Sequence, residues 1–352
     1  MAYLKDYDTM SDVMQATLDG RLVHIVQEFQ HLMTIGEDLP WVPATHDDHD
    51  EGVFEDDYKY NHSSQTADLD SSVKASKTGH YKRRDLIGMR EGGHRTNWKT
   101  YQQLGSRGTA YRTQQVDRMI RDTGLDFQHD IFYGNPADDP NQFLGLYPRF
   151  NVVTDMYGKI VGGDHEGEDH PYITLSAGGT TSGKLCSVFI ICPEPLDGAA
   201  LIYPNPDKAT TLTHGVYHES ENFRWVAAED GGQIKQAWDY VQVKGGLRFA
   251  NRHAGIRICD IDTSDEDCIK RAINLFYYAM EAIPRNLQPH MLVYCPKQFR
   301  ADLKVFFNSK VLPSTYEEAK PTNVTGDFVF DGVFWFRAAD EMLMTESKVA
   351  IA

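Results

Sequence analysis

The chain has 352 residues, 41% hydrophobic and 24% charged, which is the balance of a soluble globular protein with a sizeable core and room for two subdomains. No stretch reaches the roughly 18 to 20 uninterrupted apolar residues that span a bilayer, and Met1-Ala-Tyr-Leu-Lys-Asp6 lacks the basic-then-apolar layout of a secretion signal. A net charge of −16 argues against a broad grip on nucleic acid through clustered Lys and Arg, though not against enclosing it. In chain order, residues 11–36 predict a helix: Leu22, Val26, Phe29 and Met33 recur at spacings of three or four, Ser11 is a candidate N-cap and Gly36 a stop. Leu39-Pro-Trp-Val-Pro43 then reads as a turn. Residues 44–110 are polar and divided by charge, with seven acidic residues between His46 and Asp57 and six basic ones between Lys82 and Lys99. So long a stretch without a core pattern is either disordered or an extended arm that is buried on another molecule.

A helical pattern returns from Thr113 to Phe132 through Val116, Met119, Ile120, Leu125, Phe127 and Ile131. From Phe143 onward short strands dominate. A helix from Asp265 to Ile283 is marked by Ile269, Ala272, Ile273, Phe276, Met280 and Ile283, with Ser264 and Asp267 resembling a capping box and Pro284 as terminator. Met291 to Cys295 reads as a buried strand, and Asp327 to Phe330 with Val333 to Phe336 as a hairpin turning on Asp331-Gly332. Strands and helices mix without β-α-β alternation, so the expected class is α+β.

Gly178-Gly-Thr-Thr-Ser-Gly-Lys184 satisfies the G-x-x-x-x-G-K part of a phosphate-binding loop. That chemistry needs Ser or Thr after the lysine and a helix whose N-terminal amides hold the phosphates. Residue 185 is Leu, and Leu185 to Cys192 is β-branched and aromatic, so strand, glycine link and strand read as a hairpin; a nucleotide-binding enzyme is the alternative. His46-Asp-Asp-His-Asp50 and His165-Glu-Gly-Glu-Asp-His170 read as solvated acidic loops, with a loose divalent-cation site as the alternative. Neither has zinc-protease spacing on a helix. Five cysteines, at 186, 192, 259, 268 and 295, are odd in number and lack a Cys-x-x-Cys pair, which predicts reduced, buried thiols in a cytoplasmic setting. No nucleophile elbow, dinucleotide fingerprint or triad is evident, and no cofactor is expected. Aromatics in strands such as Val333 to Phe336 predict burial on both faces, within or between subunits.

Several segments, read in order, resemble the major capsid proteins of tailed bacteriophages with the Hong Kong 97-type fold. They are Phe132-Tyr-Gly-Asn135 with Phe143-Leu-Gly-Leu146 and Pro148-Arg-Phe150; Ser176 to Gly183; and Leu201-Ile-Tyr-Pro204. Then come Trp238-Asp-Tyr240 with Arg248 to Arg252; Tyr294-Cys295 with Phe299 to Leu303; and Asp331-Gly332 with Arg337 and the tail Glu341 to Glu346. Leu39-Pro-Trp41 and Gly93-His-Arg-Thr96 also fit, although residues 42–92 intervene where the family places the two close together. The resemblance implies an N-terminal arm (1–43), an extended loop (44–111), a peripheral domain with a long spine helix (112–200), a mainly axial domain (201–320) and a return to the peripheral domain (321–352). It further implies self-assembly into hexamers and pentamers of an icosahedral shell around double-stranded DNA, in the virion, after assembly in the host bacterial cytoplasm. A scaffolding protein, a portal and a decoration protein are the implied partners, with little N-terminal cleavage, no sequence-specific DNA binding and no membrane. Another virion component, decoration or tail, is a further alternative. The charge contrast along 44–110 predicts that Lys82, Arg83, Arg84, Arg90, Arg95 and Lys99 meet acidic surface on a neighbouring subunit. Reversing Arg83, Arg84 and Arg95 is then expected to reduce assembly and leave the subunit folded.

Overall fold

The computed structural model describes residues 34–55, 80–204, 215–227, 233–310, 316–318, 328–330 and 334–349. Most of the helix expected over residues 11–36 lies outside them; its end, α1 (Thr34–Asp38), runs on through Gly36, so that glycine is not the stop. The expected turn at 39–43 is instead a strand, β1 (Trp41–Pro43), paired in parallel with β7 (Ala199–Tyr203). Both flanking prolines fit because β1 is the outermost strand of its sheet, where a missing N–H breaks no ladder.

That first sheet is organised by β9 (Gln233–Phe249), which at 17 residues is far longer than the short strands the sequence suggested. The sheet order is β1-β7-β9-β4, where β4 is Gly88–Asn97, and β8 (Val216–Ala227) also pairs with β9. Along β9, Ala237, Asp239, Val241, Val243, Leu247 and Phe249 are buried, the period-two signature of a half-buried strand. Helix α2 (Trp98–Leu104) follows β4, and α3 (Gly108–Tyr133), 26 residues long, lies across the sheet with Ile120, Phe127, Ile131 and Phe132 buried. A side chain at Gly246 of β9 would strike the backbone carbonyl of Leu86, the last residue of β3 (His80–Leu86). β3 pairs antiparallel with β2 (His49–Glu55) as a separate two-stranded ribbon, so both sides of residues 56–79 are strand.

The second sheet has seven strands in the order β12-β13-β14-β11-β6-β10-β5: Tyr316–Glu318, Phe328–Phe330, Phe334–Ala338, Leu292–Cys295, Leu185–Ile191, Gly255–Asp262 and Ile173–Ser176. All seven residues of β6 are buried, which is why Leu185 to Ile191 reads as an apolar run broken only by Ser187. β5 and β6 do not form the expected hairpin. β10 sits between them, parallel to β5 and antiparallel to β6, so residues 177–184 cross over its end, spanning two strand spacings of about 5 Å each. Helix α5 (Glu266–Ala282) packs its stripe on this sheet, with Phe276 5.5 Å from both Phe334 and Phe336. Burial of one such ring contributes about 1.5–3 kcal/mol. Its N-cap is Asp265, whose side chain accepts from the Asp267 amide; Ser264 is not the cap and bonds Asp262 instead. β13 and β14 form the expected hairpin, but Phe330 pairs with Phe334, which leaves three residues between them rather than two. Helices α4 (Leu146–Arg149) and α6 (Lys297–Lys310) are the remaining α-helices among the described residues. Among the described residues no helix is long and apolar enough to cross a membrane.

Candidate functional site

The basic stretch 82–99 divides into residues the subunit uses itself and residues it presents outward. Asp50 and Asp85 face each other across the β2–β3 ribbon, 1% and 3% exposed, a pairing that repels unless a cation intervenes. Arg83 supplies it: Nη2 lies 2.6 Å from Asp50 Oδ2, and Nε lies 3.1 Å from Asp85 Oδ2, though not aligned as a hydrogen bond. Its guanidinium passes over Gly52, where a Cβ would come within 2.5 Å of it. Arg149 of α4 completes the joint, donating to Asp85 Oδ1 and the Tyr172 hydroxyl, each at 2.7 Å, and to the Leu144 and Leu247 carbonyls. Arg83 also donates to the Phe249 carbonyl, and Arg248 approaches Asp50 at 3.8 Å. One buried ionic knot therefore fastens the β2–β3 ribbon to α4, the end of β9 and the approach to β5.

Arg90 is likewise committed within the chain, making a bidentate pair with Asp130 near the C-terminus of α3. An acid there opposes the helix dipole, and the arginine offsets it. At the other end of α3, Arg112 holds Asp239 of β9 through two bonds of 2.7 Å. These two pairs clamp α3 on the sheet, and each raises its guanidinium pKa, chiefly through the hydrogen bond to its aspartate. Arg83 and Arg90 thus find their acids inside the subunit, and reversing Arg83 would strike a buried joint rather than a contact surface. Lys82, Arg84, Arg95 and Lys99 are exposed, with Arg95 stacked 4.6 Å over the Trp238 ring.

At the far end of this sheet is an aromatic group that the sequence reading did not single out. Phe223 of β8 meets Trp98 and Tyr101 of α2 edge-on at 4.6 and 5.0 Å, and Lys235 lies 4.1 Å over Trp98. Trp225, two residues further along β8, is 66% exposed. The signal was the i, i+2 spacing of Phe223 and Trp225 in an otherwise polar strand. Arg95 of β4 and Lys99 of α2 add exposed cations to the same end of the sheet.

A second buried knot sits under the large sheet. Arg257 of β10 donates to Ser187 Oγ and to Glu346 Oε2 (3.0 Å); Ser187 Oγ donates to Glu346 Oε2, and the Tyr147 hydroxyl to Oε1. Burial first, and then Glu346, pushes the Tyr147 phenol far above its ordinary range. Nearby, Asp260 occupies a left-handed backbone conformation (φ +56°) where β10 shifts register, held by the Ser176 hydroxyl and the Val349 amide. This carboxylate and Glu346 draw the segment 340–349 onto the sheet.

The loop Gly178–Lys184 has no helix after its lysine: β6 begins at Leu185, and Lys184 is exposed. The geometry for holding nucleotide phosphates is therefore missing. His165 pairs with Glu168 at the surface, while His170 turns inward to Tyr172, so the second His-acid motif is not brought together. The first motif is rearranged: Asp50 goes to the buried joint, whereas His46, His49 and Glu51 have ligand atoms within 4.8 Å of one another.

The sequence model of one family, major capsid protein GP7, matches residues 17–350. A comparison with curated proteins gives no match. Among solved structures, that of bacteriophage Epsilon15 is similar over 90% of this chain and 88% of that one, at 16% identity and a TM-score of 0.56, which shows a shared fold. The capsid of bacteriophage JBD30 is similar over 88% of this chain and 90% of that one, at 13% identity and a TM-score of 0.48.

Proposed function

Because the chain belongs to the major capsid protein GP7 family, it is a shell-forming protein of the virion, and we propose that its copies close as hexamers and pentamers around double-stranded DNA. The fold is α+β and Hong Kong 97-like. The observation that carries the reading is the family match across residues 17–350. Family and fold are those of structural shell proteins, and we read the chain as assembling without catalytic turnover. In such a shell repeated heterologous contacts close because the rotation closes, and many modest interfaces add as avidity.

The geometry supports this reading. A shell subunit transmits load through rigid elements, and α3 is fixed to the sheet at both ends by arginine–aspartate pairs. The β2–β3 ribbon is held by a buried ionic anchor, which suits the base of an arm reaching over a neighbour. We propose that 44–111 is largely that extended loop, that 1–43 is the arm, and that 112–200 and 321–352 are mainly peripheral and 201–320 mainly axial. Interleaving of the last three is expected, since the seven-stranded sheet takes strands from Ile173 to Ala338. Lys82, Arg84, Arg95 and Lys99, with the aromatic end at Trp225, are the proposed contacts to a neighbour's acidic surface. A scaffolding protein, a portal and a decoration protein are proposed partners.

Electron microscopy of the chain expressed with and without its scaffold tests the proposal. Closed shells or five- and six-fold rings are expected. Dispersed small oligomers under all conditions, together with nucleotide hydrolysis lost in Lys184→Ala, would instead support the enzyme reading.

A further inference from the structure

The start of β2 and the loop before it gather three metal-ligating side chains. We propose that His46, His49 and Glu51 form a binding site for a divalent transition ion of the zinc class. His49 Nε2 lies 3.2 Å from Glu51 Oε1, and His46 Nε2 lies 4.0 Å from Glu51 Oε2. A tetrahedral ion with bonds of about 2.0–2.2 Å holds its ligand atoms roughly 3.3–3.5 Å apart, so the three ligand atoms, now within 4.8 Å of one another, must draw together and the His46 ring must turn its lone pair toward the ion.

The surroundings are those of a ligand set. His49 Nδ1 lies 2.6 Å from Asp48 Oδ1. A carboxylate on the far nitrogen fixes a metal-bound imidazole and raises its basicity. A metal at His49 Nε2 requires the tautomer with its proton on Nδ1, facing Asp48 Oδ1, and the ion then takes the place a proton would hold between Nε2 and Glu51 Oε1. The His46 ring stacks on His49 at 4.5 Å with its Nε2 4.0 Å from the same carboxylate, and binding one ion through both imidazoles swings it out of that stack.

The backbone is arranged before any ion arrives. The His46 amide donates to the His49 carbonyl, the Thr45 amide to Asp50 Oδ1 and the Glu51 amide to Thr45 Oγ1. Asp50 in turn is pinned by Arg83 in the buried joint. Side-chain exposures of 44% for His46 and 59% for Glu51 leave the ion a way in and a fourth position for water. Two imidazoles and one carboxylate favour zinc, cobalt, nickel or copper over magnesium and calcium, which take oxygen ligands.

Calorimetric titration of the full, tag-free chain with Zn²⁺ tests the site, alongside Co²⁺ titration read by its tetrahedral absorption bands. One ion per chain is expected, weakened at least about tenfold in His46→Ala and in His49→Ala, and about tenfold or more in Asp48→Asn through the lost second partner. Unchanged metal-free melting of these variants shows that the fold is intact. The chain has 14 histidines, so uptake that persists in the His46→Ala/His49→Ala double variant overturns the assignment, as does no uptake at all. Displacement of the ion by millimolar Mg²⁺ would overturn the transition-metal class.

Discussion

Replacing Asp85 with Asn keeps its shape and removes one charge from the buried joint. Asp85 is 3% exposed and lies 2.7 Å from Arg149 Nη1 and 3.1 Å from Arg83 Nε. Arg83, Arg149 and Arg248 then face Asp50 alone, and the local net charge rises from +1 to +2. Breaking a buried pair by removing one partner costs about 3–5 kcal/mol, a large share of a typical stability of about 5–15 kcal/mol. Arg149→Met also destabilises, because the Leu144 and Leu247 carbonyls lose their donor. The Asp85→Asn/Arg149→Met double variant restores the net charge of +1. Its loss should therefore be at least about 1 kcal/mol smaller than the sum of the single losses. Urea unfolding of the unassembled subunit, followed by tryptophan fluorescence and circular dichroism, measures all three variants. A loss under about 1 kcal/mol in Asp85→Asn, or strict additivity in the double variant, would refute the view of this cluster as one coupled ionic unit.

Gly246→Ala should destabilise by about 1–3 kcal/mol, because the new methyl meets the Leu86 carbonyl, a backbone atom with little room to retreat; thermal melting reads it, and an unchanged midpoint would refute the contact. All five thiols are buried, and burial pushes Cys192 and Cys259 up and Cys295 to about 12. A disulfide reagent at pH 8 should thus count no reactive thiols in the native subunit and five after denaturation. Reversing Lys82, Arg84, Arg95 and Lys99 together should leave the melting midpoint within a few degrees and reduce shell yield, scored by sedimentation; full yield would remove these residues from the interface. Each exposed pair is worth only about 0–1 kcal/mol, so single reversals should have little effect.

Features whose signal is local were legible in the sequence. The stripe Ile269, Ala272, Phe276 announced α5, and Val116 to Ile131 announced α3, because a helix buries one face of its own residues. The link 177–184 misled because the strand that separates β5 from β6 is β10, supplied from residues 255–262; no local pattern reports a strand inserted from so far along the chain. β9 hid because a buried Asp239, needed by Arg112, and a glycine at 245 interrupt its apolar alternation. The basic run looked unpaired for a similar reason, since the partner of Arg83 is across a ribbon at Asp50 and that of Arg90 is on a helix at Asp130. For the His46 motif the residue types were visible, but which carboxylate turns inward and which stays with the imidazoles depends on the strand register.

The latching of segment 340–349 has a kinetic consequence. Glu346 satisfies Ser187 from 159 positions away, and Asp38 is bound by Arg337 from 299 away. During synthesis, Arg257 and Ser187 emerge well before the carboxylate that completes them, so the large sheet cannot settle until that segment has left the ribosome. Contacts of such separation also make folding slow. The subunit thus carries a built-in delay between translation and competence, an interval in which its unfinished edges must be kept from one another.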